Sequence, residues 1–258
     1  MSFLDTDGKE IRSFSSKVPE EGPNVPKPKE KEPRIPKEPG LNRWVWNLRH
    51  PDGTKIEDDD NANEMLEGAI SGPQVPPGSY KVRLKVGEQT FEEEFEVCKD
   101  PRISASDADL SAQFTLLNGL HERLSDTHKA INEIRAIRRR AEDWAARAKD
   151  KLELEAVAKS AQAVIDRLKP IEAELIQVDI KSRGDVLLFP ARLNGKLGYL
   201  AGVVGSADAA PTASSKQVFD DLSKRVQAQL DQLSETVVTE VGNLNDAIRS
   251  ANVPAVGV

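Results

Sequence analysis

A chain of 258 residues with one cysteine, Cys98, can form no internal disulfide, and one copy cannot assemble a cysteine-based zinc centre. A lone cysteine at the end of an apolar run is expected to be a small core filler. Histidine is almost as scarce, with His50, His121 and His128 the only three. Positive charge is outweighed, 36 Lys and Arg against 43 Asp and Glu, which leaves a net charge of −7. That balance excludes the basic footprint of a general nucleic-acid binder and supplies no attraction to an anionic membrane surface. No stretch approaches the ~20 consecutive apolar residues of a membrane span. The opening "MSFLDTDGKEIR" has neither the basic start nor the apolar core of an export signal. Also missing are a P-loop, G-x-G-x-x-G, G-x-S-x-G and H-E-x-x-H. No residue is therefore assigned a catalytic role, and no metal or cofactor is expected.

What is present falls into two parts. Asp7-Gly8 lies between two short apolar-containing runs, a hairpin signal. Residues 18–40 are dominated by proline with interleaved Lys and Glu, a composition that resists both pairing and burial and so predicts a solvated loop. In "LNRWVWNLRHPDG", Trp44, Trp46 and Leu48 alternate with polar and charged residues at period two. The spacing predicts a strand with both tryptophans on one face. Such a face is either core or, if exposed, a stacking platform for a sugar ring, so Trp44 and Trp46 are the candidate binding residues. Residues 54–72 are acidic. Asp58, Asp59, Asp60 and Glu64 offer oxygen ligands but break the order of a calcium-binding loop, so a solvated loop is expected. From Gly72 to Arg102 a hairpin is clear. Tyr80, Val82, Leu84 and Val86 face one way, "GEQ" turns the chain, and Phe91, Phe95 and Val97 are expected to point inward on the return. Glu92, Glu94 and Glu96 are placed outward, opposite Lys81, Arg83 and Lys85.

After "KDPR" the periodicity becomes helical. Ser and Asp residues before Leu110 provide caps, and Leu110 to Ile137 repeat at helical spacing in a helix expected to reach about Lys149. A second seam runs from Val157 through Val164, Leu168 and Ile171 to Val178, with Pro170 expected to kink or split it. A short apolar helix is predicted over Leu193–Val204. The last helix, about 215–250, has a seam from Phe219 to Ile248 in steps of three, four and four. Its period near 3.67 predicts a nearly straight helix. His121 and His128 share one helix face about 10 Å apart, too far to chelate one ion unaided, and are taken as polar flanks of the seam. The run "RAIRRRAED" is expected to be a solvated face with i,i+3 and i,i+4 ion pairs.

The segments "GLNRWVWNLRHPDG" and "GPQVPPGSYKVRLKVGEQTFEEEFEVCKDPR" resemble consecutive landmarks of an Ig-like domain of the flagellar hook-assembly type. The likeness is to the version near the C-terminus of bacterial proteins with BNR/sortilin-type β-propellers, often labelled glycosyl hydrolase or sialidase-like. "IKSRGDVLLFPARLNGKLGYLAGVVGSADAAPT" resembles the helical end of the same family. The resemblance implies an α+β chain: an Ig-like β-sandwich over 1–101, then an antiparallel bundle of three long helices over 102–258. It also implies an extracytoplasmic location and an upstream propeller as partner. The propeller's S-x-D-x-G-x-T-W box is absent, so none of its site residues carries over. Whether the sandwich lacks its first strand stays open; if it does, a sheet edge is left for self-association. The expected function is a non-catalytic accessory or interaction module of such a protein. A glycan-binding or hydrolase-associated activity and a free-standing oligomeric scaffold are the alternatives.

Overall fold

The computed structural model describes residues 1–17, 33–180 and 182–252 of the chain. It is an α+β protein with one four-stranded antiparallel sheet and several long helices. The described residues group into two units: 1–52, 71–115 and 208–210, and 53–70, 116–207 and 211 onward.

The first unit is built on the sheet, ordered β2-β1-β3-β4. Strand β1 (Ser2–Leu4) and β2 (Glu10–Ser13) form the hairpin expected around Asp7-Gly8, with Gly8 at φ 80°. Strands β3 (Gly78–Val86) and β4 (Gln89–Val97) form the long hairpin, turned at Gly87 with φ 61°. Their register puts Lys81 opposite Glu94 and Arg83 opposite Glu92, with salt bridges of 3.3 and 2.5 Å on the wet face. On the other face Ile11, Val75 and Tyr80 are buried, with Trp46, Leu48, Phe95 and Val97 packed against them.

Three expectations are corrected in this unit. The segment holding Trp44 and Trp46 is not a strand: it makes a single bridge, Arg49 to Gln74. The cause is local. Leu48 takes φ 59°, the Asn47 Oδ1 accepts the Arg49 N–H at 3.2 Å, and Trp46 Nε1 donates to the Arg49 carbonyl at 3.1 Å. This turn ends the extended run that alternation implied. Phe91 shares a face with Phe95 yet is 54% exposed, as are neighbouring Leu84 and Val86 in part. On β3, strand β1 pairs with residues 81–83, and among the described residues no third strand lies beside the far half of the hairpin. Cys98 is exposed rather than a core filler, because it lies one residue past the last pair of the ladder, Gly78 with Val97.

The expected loop at 18–40 lies outside the described residues over 18–32, and 33–40 is irregular and mostly exposed. The acidic stretch 54–72 is not a solvated loop. It forms two short helices, α1 (Asp60–Met65) and α2 (Glu67–Ile70), which bury Ile56, Ala62, Leu66 and Ile70 in the helical core. Asp59 caps α1 through the Ala62 N–H.

The helices appear close to where periodicity put them. Helix α3 (Asp107–Ala148) starts on a reciprocal cap, Ser106 Oγ with the Asp109 N–H and Asp109 Oδ2 with the Ser106 N–H. Helix α4 (Glu155–Leu175) buries Val157, Ala161, Val164, Leu168, Ile171 and Leu175. Pro170 sits inside it without splitting it, and Val178 falls beyond its end. Helix α5 (Leu193–Val204) has the predicted bounds. Helix α6 (Ala213–Thr236) passes through a π-turn, Val237–Val241, into α7 (Gly242–Ser250). The straight regular helix expected there is thus interrupted. Thr236 and Thr239 hydroxyls donate to the carbonyls of Gln232 and Glu235, competing for acceptors of the backbone ladder where it widens. Helix α4 packs on α6 and α7, and α5 on α6. Helix α3 approaches α6 where Gly119 faces the Phe219 ring; a Cβ at Gly119 would lie 3.1 Å from that ring.

Candidate functional site

Each candidate tryptophan packs on aromatic neighbours of the sheet unit, Trp46 on Phe3 and Phe95 and Trp44 on Phe14. The Trp46 ring stacks on Phe3 at 4.2 Å between centroids, and the Trp44 ring lies 5.0 Å from Phe14. Both keep part of their surface exposed, and Trp44 Nε1 has no hydrogen-bond partner among the described residues. The structure brings the two residues to one neighbourhood but not onto one strand face.

In the helical unit two arginines converge on Glu172, which is 2% exposed on α4. Arg135 Nε donates to its Oε1 at 2.9 Å, and Arg138 Nη1 donates to Oε2. Arg135 Nη2 reaches Asp59 Oδ2 at 3.1 Å. Burial opposes the charge on Arg135, but the hydrogen bonds and fields of Glu172 and Asp59 outweigh it and raise its pKa above the ordinary value. The run "RAIRRRAED" is therefore not simply a solvated face: Arg135 and Arg138 turn inward, while Arg138 still meets Glu142 at 3.6 Å, as expected for an i,i+4 pair. Glu172 was missed because it flanks the apolar Ile171. It stands four residues after Leu168 and three before Leu175, the spacing of the buried seam, and that was its only signal.

His128 is not a seam flank either; it is completely buried. Its Nδ1 lies 2.7 Å from the Thr54 carbonyl, which requires the proton on Nδ1 and leaves Nε2 without a partner among the described residues. Burial lowers its pKa, against the Thr54 hydrogen bond and the charge of Asp59, which favour the protonated form. The steps 117, 121, 124, 128, 131 are four, three, four, three, so the sequence already placed His128 in the seam rather than beside it. His121 sits one step earlier, its Nδ1 3.3 Å from the Ala69 carbonyl. Among the described residues no group of three His, Cys, Asp or Glu is arranged to hold a metal ion.

The same unit contains a cavity of about 290 Å³. Its walls come from α1 with its flanking residues Asp59 and Leu66, from the chain that follows α4, from a 3₁₀ turn at Arg183–Leu187, and from the first turns of α5. Ile176, Ile180, Phe189 and Leu66 make its surface mostly apolar; Asp59, Gln177, Arg192 and Asn194 are its polar members. Around it Leu187, Leu188, Tyr199 and Val203 are exposed, Leu187 at 89%. Gly198 on α5 admits Leu66, whose Cδ2 would lie 2.3 Å from any Cβ there.

Comparison with protein-family models, with curated proteins and with solved structures finds no match to this chain.

Proposed function

We propose that the chain is a non-catalytic accessory module that works by holding a partner. The sheet is read as one layer of an Ig-like β-sandwich, and α3, α4 and α6–α7 as the three long helices of an antiparallel bundle, with α5 as the short apolar addition. The observation that supports this reading is the uncovered half of the β3–β4 hairpin. Leu84 and Phe91 are a directly opposed pair, and with Val86 they leave large apolar side chains in water on the face that is core nearer β1. Apolar side chains clustered on an uncovered sheet face mark an interaction surface. By resemblance, the partner is a β-propeller encoded directly upstream. The test is co-elution of the two purified proteins, repeated with Leu84→Lys and Phe91→Lys. Loss of the complex in both variants supports the reading. No complex, or one that survives both substitutions, sinks it, and turnover of glycosides by the chain alone would remove the non-catalytic part.

A second reading, glycan binding at Trp44 and Trp46, rests on their part-exposed rings. Indole fluorescence that does not move across a panel of glycans would dispose of it.

A further inference from the structure

We infer that the cavity at the start of α5 binds an apolar monocarboxylate of roughly ten heavy atoms, with its carboxylate against the first turn of the helix. The size follows from the 290 Å³ volume, about ten times the space one water occupies in the liquid. The charge preference follows from where the unsatisfied donors are. Helix α5 begins without a side-chain cap, and its first intrahelical bond runs from the Lys196 N–H to the Arg192 carbonyl. The N–H groups of Leu193 and Asn194 therefore have no intrahelical acceptor and carry the positive end of the helix dipole.

Side chains add to this. Asn194 is only 6% exposed; its Oδ1 accepts the Gly195 N–H at 2.7 Å, so the group left to face a ligand is its amide donor. Arg192 Nε is buried with no partner among the described residues, and its Nη1 stands 3.6 Å from Glu174. The other polar members of the wall are already satisfied. Asp59 accepts from Ala62 and Arg135, at 3.2 and 3.1 Å. Gln177 donates to Pro190 at 3.2 Å and accepts from Asp179 at 3.3 Å. Unmet donors of Arg192 and Asn194 thus share the cavity lining with the apolar side chains of Ile176, Ile180, Val186, Phe189 and Leu66. A burial site of this kind rewards a ligand that is apolar along its length and anionic at one end. The Asp59 carboxylate in the wall weighs against a dianion.

The experiment is calorimetric titration of the full chain with octanoate, octan-1-ol and octylamine, each also against Asn194→Asp. Aspartate keeps the size of asparagine and suits the first turn of a helix, so the variant is expected to fold, and a thermal scan verifies it. Octanoate is expected to bind, with octan-1-ol and octylamine weaker by roughly ten- to a hundred-fold, the loss of a charge-assisted hydrogen bond. Asn194→Asp is expected to weaken octanoate by a similar factor and octan-1-ol much less, since the alcohol carries no charge for the new carboxylate to repel. The inference is overturned by no binding at millimolar octanoate, by octan-1-ol matching it, or by an unchanged octanoate affinity in the variant.

Discussion

Replacing Glu172 with alanine removes the one acceptor shared by two inward-facing guanidinium groups. Arg135 keeps Asp59 at 3.1 Å and Arg138 keeps Glu142 at 3.6 Å, so neither cation is stranded entirely. Even so, the side chains of Arg135 and Arg138 are largely buried, and the alanine leaves a gap where the carboxylate stood. Breaking a buried ion pair on one side costs about 3–5 kcal/mol. In a chain of this size that corresponds to a fall in Tm of roughly 6–20 °C. The measurement is urea and thermal denaturation followed by circular dichroism. A companion variant, Arg135→Met, Arg138→Met and Glu172→Leu together, replaces the whole network with apolar groups and is expected to recover most of the loss. If Glu172→Ala shifts stability by less than about 1 kcal/mol, or if the triple variant is the worse of the two, the network is not the buried, coupled unit described above.

Further outcomes follow from single groups. The pKa of His128 is lowered on folding, so below the ordinary value of 6.5 the unfolded chain binds the extra proton more readily than the folded one. Stability is expected to be level above that pH and to fall by up to about 1.4 kcal/mol per pH unit below it, until the lowered folded value is reached; His128→Gln should flatten that slope in urea titrations at pH 5 and 7. Gly72→Ala would bring a Cβ within 2.0 Å of the His50 carbonyl oxygen, a backbone atom that cannot turn away, and should cost more than about 2 kcal/mol in the same assay. Gly119→Val should separate α3 from α6 at Phe219 and cost about 1–3 kcal/mol by overpacking, whereas Gly202→Ala, where nothing lies within 4 Å, should be neutral or stabilising. The outer edge of β4 carries Glu92, Glu93, Glu94 and Glu96, so self-pairing there sets carboxylate against carboxylate. Glu94→Thr with Glu96→Thr should raise the mass seen by light scattering at high concentration.

The helices were legible because each carries its own evidence. Leu193–Val204 and the seams of α4 and α6 obey one period over many turns, and Ser106 sits where the cap of α3 belongs. The long hairpin was legible for the same reason at period two. Misreadings occurred where one local event cancelled a pattern: the left-handed Leu48 ended the tryptophan strand, and two threonines accompany the wide turn of the last helix. The candidate cavity was not legible at all. Its walls come from four separated stretches, and its unmet donors matter only because no described side chain satisfies them.

By itself, the sequence determined the long helices and the β3–β4 hairpin, since alternation, helical spacing and capping act within a few residues of one another. Tertiary structure decided which of several charged residues on one helix went inside. "RAIRRRAED" holds four arginines of equal helical standing, yet only two meet Glu172, because that carboxylate arrives from another helix. The same holds for the acidic stretch 54–70. Its hydrophilic composition suggested solvent, but Ile56, Ala62, Leu66 and Ile70 found a helical surface to cover, and burial of those four side chains outweighed the charge around them. A short segment's composition shows what it would do alone in water, and the apolar surface offered by the rest of the chain settles what it does when folded.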